Sequence, residues 1–310
     1  MKEYKLEELK ELRYGENPHQ KASLCATDEM ADYEVLFDKE LSYDNILNLY
    51  EVTKVLSEFY DVNAVAITKH TAVCGVALGK TIEEAYNKAF DCDPISAFYG
   101  TIGFSKSVDA DTAKHINSMG VKLVVAPDFE DEALVYLNDN PTIKLVKLNT
   151  PLSNIKNMCS EEVFFTPFGV LVQDKNKSDL NKDLFKVVTK TKPTTEQIED
   201  SIFAWKVAKY LKTDSAVVVK DFATLGIARS HTNSSSAIES AINYACDGTK
   251  EAVLATDGII YSQDAIYASV QARIGLIIQP GGSDRDKELI ELADKYEVPM
   301  IMTGVRNHKY

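Results

Sequence analysis

The chain has 310 residues, of which 45% are hydrophobic and 26% are charged. This length allows two ordinary domains with a substantial core, and the composition excludes disordered and fibrous classes. A net charge of −13 argues against general nucleic-acid binding, which needs a basic surface to displace phosphate counterions. No apolar run is long enough to cross a bilayer and the N-terminus lacks a signal-peptide core, so we expect a cytoplasmic protein without membrane contact.

Short apolar strands alternate with helical periods along the first half. Predicted elements are a strand over 63–68, a helix over 81–90, a strand over 121–126 and a helix over 130–138. Thr81 can cap the first of these helices, and Glu83 and Glu84 suit the positive end of its dipole. The order of elements is typical of an α/β protein.

The second half continues the alternation. A helix is predicted over 194–211, with Ile198, Ile202 and Trp205 on one stripe. Further predictions are strands over 216–220, 252–256, 276–279 and 300–303, and a helix over 284–296. The polar stretch 173–183 separates the halves by composition, and we place the first domain at 1–160 and the second at 161–310.

Three segments carry residues suited to chemistry. Residues 13–20, RYGENPHQ, are polar and turn-forming with no apolar period, which favours a binding loop. Lys69 and His70 follow an apolar strand directly, where α/β proteins place ligands. Residues 279–286, QPGGSDRD, open a helix with glycines that let backbone N–H groups approach a ligand, although the Lys-Ser/Thr ending of a P-loop is missing.

These and other blocks resemble, in order, the motifs of the AICAR transformylase domain, the folate-dependent formyl transferase of late purine synthesis. The matching blocks are RYGENPHQ at 13–20, LSYDN at 41–45, KHTAVCG at 69–75, DPISAF at 93–98, FAWK at 203–206, QPGGS at 279–283 and TGVR at 303–306. The resemblance begins at the first of these motifs, so we expect ring closure, the next step of that pathway, to reside in a separate protein.

The resemblance implies a fold of two tandem cytidine-deaminase-like α/β/α domains, each with three layers. It also implies a homodimer with sites shared across the interface. The resemblance does not extend to the zinc ligands of the deaminases, since His70 and Cys74 stand without a second nearby cysteine. The five cysteines are scattered and form no C-x-x-C pair, so we expect free thiols and no metal requirement.

By resemblance, Lys69 and His70 are catalytic. His70 takes the proton from the amine of AICAR ribonucleotide as that amine attacks the formyl carbon of 10-formyltetrahydrofolate. Histidine titrates in the range that this step needs, and a neighbouring ammonium favours a neutral imidazole. The ammonium of Lys69 also stabilises the oxyanion that forms.

The resemblance assigns further residues to ligands. Those on the nucleotide side are Arg13, Tyr14, Asn17, Ser96, Phe98, Lys122, Asp214 and Arg306, and those on the folate side are Asp264, Gly281, Gly282 and Ser283. Both arginines are expected near the phosphate, because a guanidinium can grip a phosphate with two parallel hydrogen bonds.

Several positions depart from the family pattern. Lys122 stands where the family carries an acidic nucleotide contact, Tyr99 replaces a glycine, and Asp214 replaces an asparagine. Residues 226–234 and 259–264 keep little of the expected glycine-rich and aromatic blocks. The alternatives to AICAR formyl transfer are therefore a paralogue acting on another purine-like nucleotide, and a non-catalytic nucleotide-binding protein with the same fold.

Overall fold

The computed structural model describes residue 3, residues 5–178 and residues 185–310. Within these ranges the chain is a mixed α/β structure built on a sheet of 12 strands. Two further hairpins of two strands each stand apart from this sheet. Among the described residues, no helix is both long and apolar enough to cross a bilayer.

The first half contains the following elements. The strands are β1 (Glu7–Leu12), β2 (Ala22–Ala26), β3 (Tyr33–Val35), β4 (Ala64–Lys69), β5 (Ala72–Leu78), β6 (Thr101–Phe104), β7 (Leu123–Ala126) and β8 (Lys144–Leu148). The helices are α1 (Tyr43–Leu56), α2 (Ile82–Asp91), α3 (Pro94–Ala97), α4 (Ala110–Ser118), α5 (Asp131–Asn138) and α6 (Leu152–Ile155).

The second half contains a comparable set. The strands are β9 (Glu161–Thr166), β10 (Gly169–Asp174), β11 (Lys186–Val187), β12 (Ala216–Lys220), β13 (Ala223–Ala228), β14 (Val253–Thr256), β15 (Leu276–Gln279) and β16 (Met300–Met302). The helices are α7 (Thr195–Ala208), α8 (Ser234–Ala245), α9 (Gln263–Gln271) and α10 (Asp286–Lys295).

The large sheet repeats one topology. Its order is β11-β16-β15-β14-β12-β13-β5-β4-β6-β7-β8-β3. In each half a hairpin, β4–β5 or β12–β13, pairs antiparallel with the first strand of a parallel trio, β6–β8 or β14–β16. The halves join where β5 pairs with β13. The repeat is visible in the topology but not in residue identity.

Two glycines occupy equivalent places in this repeat. A Cβ on Gly75, in β5, would lie 2.0 Å from the backbone oxygen of Ala89 in α2, and a Cβ on Gly226, in β13, would lie 2.1 Å from that of Ala241 in α8. Each hairpin thus packs its second strand against a helix at a distance that only glycine permits.

The core lies on both faces of the sheet, because strand side chains alternate between the faces. Buried side chains of α1 and α7 cover one face of both halves, whereas α2, α4 and α5 cover the other face of the first half and α8, α9 and α10 that of the second. The result is three layers, helix on sheet on helix.

Most elements predicted from sequence are confirmed within a few residues. Thr81 caps α2 by accepting from Glu84 N, and Thr194 with Gln197 forms a capping box at α7. The sequence reading missed the hairpin of β9 and β10, which lies beside the predicted domain boundary. Part of the polar stretch at that boundary, residues 179–184, lies outside the described residues, and the boundary itself stays a prediction.

Candidate active site

The turn between β4 and β5 presents His70. β4 ends at Lys69, and His70 and Thr71 form the turn with φ values of 52° and 62°. Positive φ at both central residues is the geometry of a tight hairpin whose twist matches its strands. Asn48, buried in α1, accepts a hydrogen bond from Thr71 N at 3.0 Å. The imidazole is therefore exposed on a turn that the core holds in place.

Lys69 lies beside this turn and points to a second loop. Its Nζ donates to the carbonyl oxygen of Phe98 at 2.8 Å, just after α3. Lys69 and His70 line a small cleft together with Tyr99 and Lys122. The structure thus brings the predicted catalytic pair together with two of the positions that depart from the family pattern.

A larger cavity of about 740 Å³ opens next to this cleft. It is lined by the β1–β2 loop, the N-terminus of α1, the His70 turn, Tyr99 and the starts of β7 and β8. Its lining includes Arg13, Tyr14, Ser42, Tyr43, Asp44, Asn45, His70, Thr71, Tyr99, Lys122, Thr142 and Lys144. A cavity of this size suits a nucleotide or a ligand of similar dimensions.

The β1–β2 loop forms one wall of the cavity. Gly15 N donates to Gln20 O at 2.9 Å, and both the backbone and side-chain nitrogens of Asn17 donate to Gln20 Oε1 at 2.8 Å. The guanidinium of Arg13 lies 5.8 Å from the centre of the Tyr14 ring. Asn17 therefore shapes the loop and does not line the cavity, whereas Arg13 and Tyr14 do.

The segment around α3 contributes less than the resemblance implies. Ser96 N donates to Asp93 Oδ1 at 2.9 Å as part of the helix cap, and Ser96 does not line the cavity. Phe98 stacks edge-on against Tyr99 at 4.3 Å, and neither Ser96 nor Phe98 reaches the cavity wall. Tyr99 itself has φ 58°, a left-handed conformation that favours glycine.

Lys122 faces the cavity, with its Nζ 5.8 Å from the centre of the Tyr99 ring. Lys122 and Asp214, which both depart from the family pattern, do not pair with each other within one chain. Lys122 precedes β7 and Asp214 precedes β12, and these strands are five places apart in the sheet. At the usual strand spacing that is a separation of roughly 24 Å.

Asp214 precedes β12, and the other second-half candidates follow β14, β15 and β16, with Asp264 in the first turn of α9. Gly282 N and Ser283 N donate to the carboxylate of Asp286 at 2.7 and 3.2 Å, so these N–H groups already have partners. Gly281 is buried against Met302 with φ 69°. Asp264 N donates to the Oγ of the N-cap residue Ser262 at 3.1 Å.

The two sets of candidates share one edge of the sheet. The strand directions place the C-terminal ends of β4, β14, β15 and β16 at the same edge as the starts of β6, β7, β8 and β12. However, β14 to β16 lie three to five strands beyond β5, or roughly 14–24 Å. One chain therefore does not gather Arg306 and the folate-side residues around His70.

A group that the sequence did not suggest lies at this edge. Asp214, Asp257 and His308 place one ligand atom each within 4.8 Å of one another, and they are the one such group of potential metal ligands among the described residues. Asp257 is buried, its Oδ1 accepts from Ser215 N at 2.6 Å, and its Oδ2 has no hydrogen-bond partner. Oxygen and nitrogen atoms of this kind can hold a cation. The three positions are too far apart in the chain to form a motif.

The fold and cavity define a class: an α/β protein with a polar cavity, lined by both basic and acidic side chains, at one edge of its sheet. The family is defined by sequence. Residues 1–244 match the model of the AICARFT/IMPCHase bienzyme family, and the chain belongs to that family.

Three relatives, each a bifunctional purine biosynthesis protein PurH, illustrate the similarity. The protein of Caldicellulosiruptor saccharolyticus is 42% identical over 98% of this chain and 60% of its own length. Those of Caldicellulosiruptor bescii and Thermoanaerobacter sp. are each 40% identical over 98% of this chain. The chain thus spans about 60% of the length of the relatives it matches. Among solved structures, RibD of Acinetobacter baumannii is similar over 34% of this chain with a TM-score of 0.25, which is too low to support an argument.

Proposed function

We propose that the chain transfers a formyl group from 10-formyltetrahydrofolate to the 5-amine of AICAR ribonucleotide in purine biosynthesis in the cytoplasm. The observation that carries this proposal is the position of His70. Its side chain is exposed at the rim of a cavity that Arg13 and Tyr14 also line, on a turn that a hydrogen bond to Asn48 fixes in place. The names of the relatives, which are purine biosynthesis proteins, support the same pathway.

The chemistry follows from the groups at that rim. The amine attacks the formyl carbon, and the neutral imidazole of His70 accepts the amine proton as the new C–N bond forms. The ammonium of Lys69, anchored by the Phe98 carbonyl, stabilises the negative charge that develops on the formyl oxygen. Collapse of the tetrahedral intermediate breaks the bond to the folate nitrogen, which takes the proton held by His70, and leaves tetrahydrofolate and the formamido nucleotide.

The direct test is an assay with both substrates. Purified protein is mixed with AICAR ribonucleotide and 10-formyltetrahydrofolate, and the appearance of tetrahydrofolate and the formamido nucleotide is followed. Turnover that requires both substrates supports the proposal. A correctly folded protein that binds neither substrate and forms no product contradicts it.

Arg13 is proposed to grip the phosphate of the nucleotide. We expect Arg13→Ala to weaken nucleotide binding by roughly 1.5–3 kcal/mol, because charge-assisted hydrogen bonds to the phosphate are lost. Binding of the nucleoside, which lacks the phosphate, should change little. Calorimetry with both ligands measures the difference, and Arg285→Ala, whose guanidinium is paired with Glu288 outside the cavity, is the control. If the variant prefers the nucleotide over the nucleoside as strongly as the wild type does, the phosphate binds elsewhere.

A homodimer is proposed to complete the site with the distant candidates. The hairpin of β9 and β10 exposes large apolar side chains on both of its faces: Phe164 and Leu171 form a cross-strand pair on one face, and Phe165 pairs with Val170 on the other. A monomer that left so much apolar surface in water would be unusual. A second copy of the chain would cover this hairpin and bring its own Asp214, Arg306 and folate-side residues towards His70.

The hairpin makes the dimer testable. We expect Phe164→Asp with Leu171→Asp to convert a dimer into monomers, because burying two carboxylates without partners is costly. Formyl transfer should fall with the dimer. Analytical ultracentrifugation measures the mass, and Val135→Asp, which places a charge on an apolar residue exposed in α5, is the control. A wild-type chain that is monomeric at micromolar concentration would refute the shared site.

The topological repeat also supports the finer reading of the fold. We propose that each half, a hairpin plus a parallel trio with helices on both faces, is one cytidine-deaminase-like unit, with 1–160 and 161–310 as the two domains. We expect no metal of the deaminase type in it, because His70 and Cys74 stand without a second nearby cysteine.

A second candidate function is action on a different purine-like nucleotide, and Lys122 and Tyr99 favour it. We expect Lys122→Asp with Tyr99→Gly to raise formyl transfer to AICAR ribonucleotide above wild type. The aspartate accepts hydrogen bonds from donor groups of the ligand, which an ammonium cannot do. Glycine removes the Tyr99 ring from the cavity and suits the backbone φ of 58° at that position. Steady-state rates for the two proteins decide the matter. Equal or lower activity in a folded double variant would mean that the native pair is already compensated.

A further inference from the structure

One wall of the cavity carries two adjacent lysines. Lys122 immediately precedes β7 and Lys144 begins β8, and these strands are parallel neighbours. Lys144 N donates to Lys122 O at 2.9 Å, so the two residues are joined through their backbones. Both line the cavity. The sheet therefore directs two ammonium groups into the same space.

Neither ammonium is in direct contact with a carboxylate of the described residues. Lys144 Nζ donates to Asn45 Oδ1, an uncharged acceptor, at 2.7 Å, and Lys122 Nζ lies over the Tyr99 ring. Within the described parts of the chain, no carboxylate forms an ion pair with either. By contrast Lys147, three residues further along β8, pairs with Asp128 at 2.7 Å. The chain has a net charge of −13, so carboxylate side chains are plentiful, and yet these two lysines form no ion pair.

The charges around this wall are mixed, because the carboxylates of Glu40 and Asp44 line the same cavity as the two lysines. Burial lowers the pKa of Lys144; Glu40 and Asp44 oppose this effect, whereas the ammoniums of Lys122 and Lys39 add to it. Glu40 itself is engaged by Lys10 at 2.7 Å. The two adjacent ammoniums still repel each other, and an anion bound between them would relieve that repulsion.

We propose that Lys122 and Lys144 form a second anion subsite, which binds a carboxylate carried by the ligand. This subsite deepens the proposed function and rests on it, since it concerns a substrate of that same site, and it is separate from the phosphate grip of Arg13. Two ammoniums donate six hydrogens and accept none, so they match a carboxylate far better than a neutral carboxamide, whose nitrogen is itself a donor. The carboxylate has two possible sources: an acidic group on the imidazole ring of the nucleotide, or the glutamate tail of the folate.

Binding measurements on two ligand pairs test the subsite. The first pair is AICAR ribonucleotide and its 4-carboxylate analogue, and the second is folic acid and its triglutamate form. We expect the wild-type chain to favour the more acidic member of one pair by about 10-fold, or roughly 1.4 kcal/mol. Lys122→Met and Lys144→Met should each remove most of that preference, whereas Lys147→Met, which deletes a charge on the same strand outside the cavity, should retain it.

The outcomes separate the alternatives. A preference confined to the nucleotide pair assigns the carboxylate to the ring, and one confined to the folate pair assigns it to the tail. The absence of a preference in both pairs, or its equal loss in Lys147→Met, overturns the subsite. If Lys144→Met does not fold, Lys144→Gln removes the charge while keeping a donor for Asn45, and the same comparison applies.

Failure of the subsite and failure of the proposed function are distinguishable. A lysine-dependent preference for carboxylate without formyl transfer would keep the subsite and remove the proposed activity. Formyl transfer to AICAR ribonucleotide with no such preference in either pair would keep the activity and remove the subsite.

Discussion

His70→Ala is expected to lower the rate of formyl transfer by roughly 100-fold or more, while leaving nucleotide binding nearly unchanged. The imidazole accepts a proton mainly in the transition state, so its loss affects turnover and not the affinity for the ground state. The exposed position of His70 at the cavity rim, away from any buried ion pair, allows its replacement without disturbing the core.

The backbone at this turn suggests a second variant. Alanine at φ 52° is strained, whereas asparagine adopts that conformation more readily and has no basic nitrogen. His70→Asn should therefore fold like the wild type and lose the same activity. His115→Ala serves as the control, because it removes an exposed histidine of α4 whose nearest acidic partner is Glu83 of α2. Single-turnover rates and calorimetry with AICAR ribonucleotide measure the two effects, and either His70 variant with half of the wild-type rate would remove His70 from the mechanism.

Glu58→Gln is expected to destabilise the fold by about 3–5 kcal/mol, because it leaves a buried lysine without its counter-charge. Glu58 follows α1 and is 4% exposed, and its Oε1 accepts from Lys209 Nζ at 2.9 Å and from the Tyr210 hydroxyl at 2.7 Å. Lys156 Nζ lies 3.1 Å from its Oε2. Because Lys209 ends α7, this cluster fastens the first half of the chain to the second.

The same cluster makes stability depend on pH. Burial alone would raise the pKa of Glu58, but Lys209, Tyr210 and Lys156 together hold it below the ordinary value. A carboxyl group with a lowered pKa in the folded state contributes stability above its unfolded pKa, which is about 4.3 for glutamate. That contribution is lost as the pH falls through the lower, folded value. The wild type should lose more stability than Glu58→Gln between pH 5 and pH 3.

Urea unfolding at one fixed protein concentration measures both effects, since self-association would otherwise change the midpoint. Glu84→Gln, which removes an exposed partner of Lys88, is the matched control and should change little. The double variant Glu58→Leu with Lys209→Met should recover much of the loss, because replacing both members of a buried ion pair with apolar groups is often neutral. Similar midpoints for Glu58→Gln and Glu84→Gln would mean that the cluster does not hold the halves together.

Local sequence determined most of the elements predicted for this fold and the residue types at its candidate site. Apolar runs such as the one that ends at Lys69 and caps such as Thr81 and Thr194 act over a few residues, so the pattern of the chain reports them directly. The RYGENPHQ and KH blocks are contiguous for the same reason, and the loop at Arg13 and the turn at His70 lie on one cavity.

Only the tertiary structure decided which candidates lie together. Lys122 and Lys144 are adjacent because parallel strands align their starts, and Asp214 is remote from both because several strands intervene. Neither relation is encoded in spacing along the chain, since the order of strands in a sheet depends on how crossovers and hairpins pack against helices. The hydrogen bonds that commit Asn17 to its own loop and Gly282 to Asp286 were equally invisible, because they depend on where each backbone turns and not on the residue types alone.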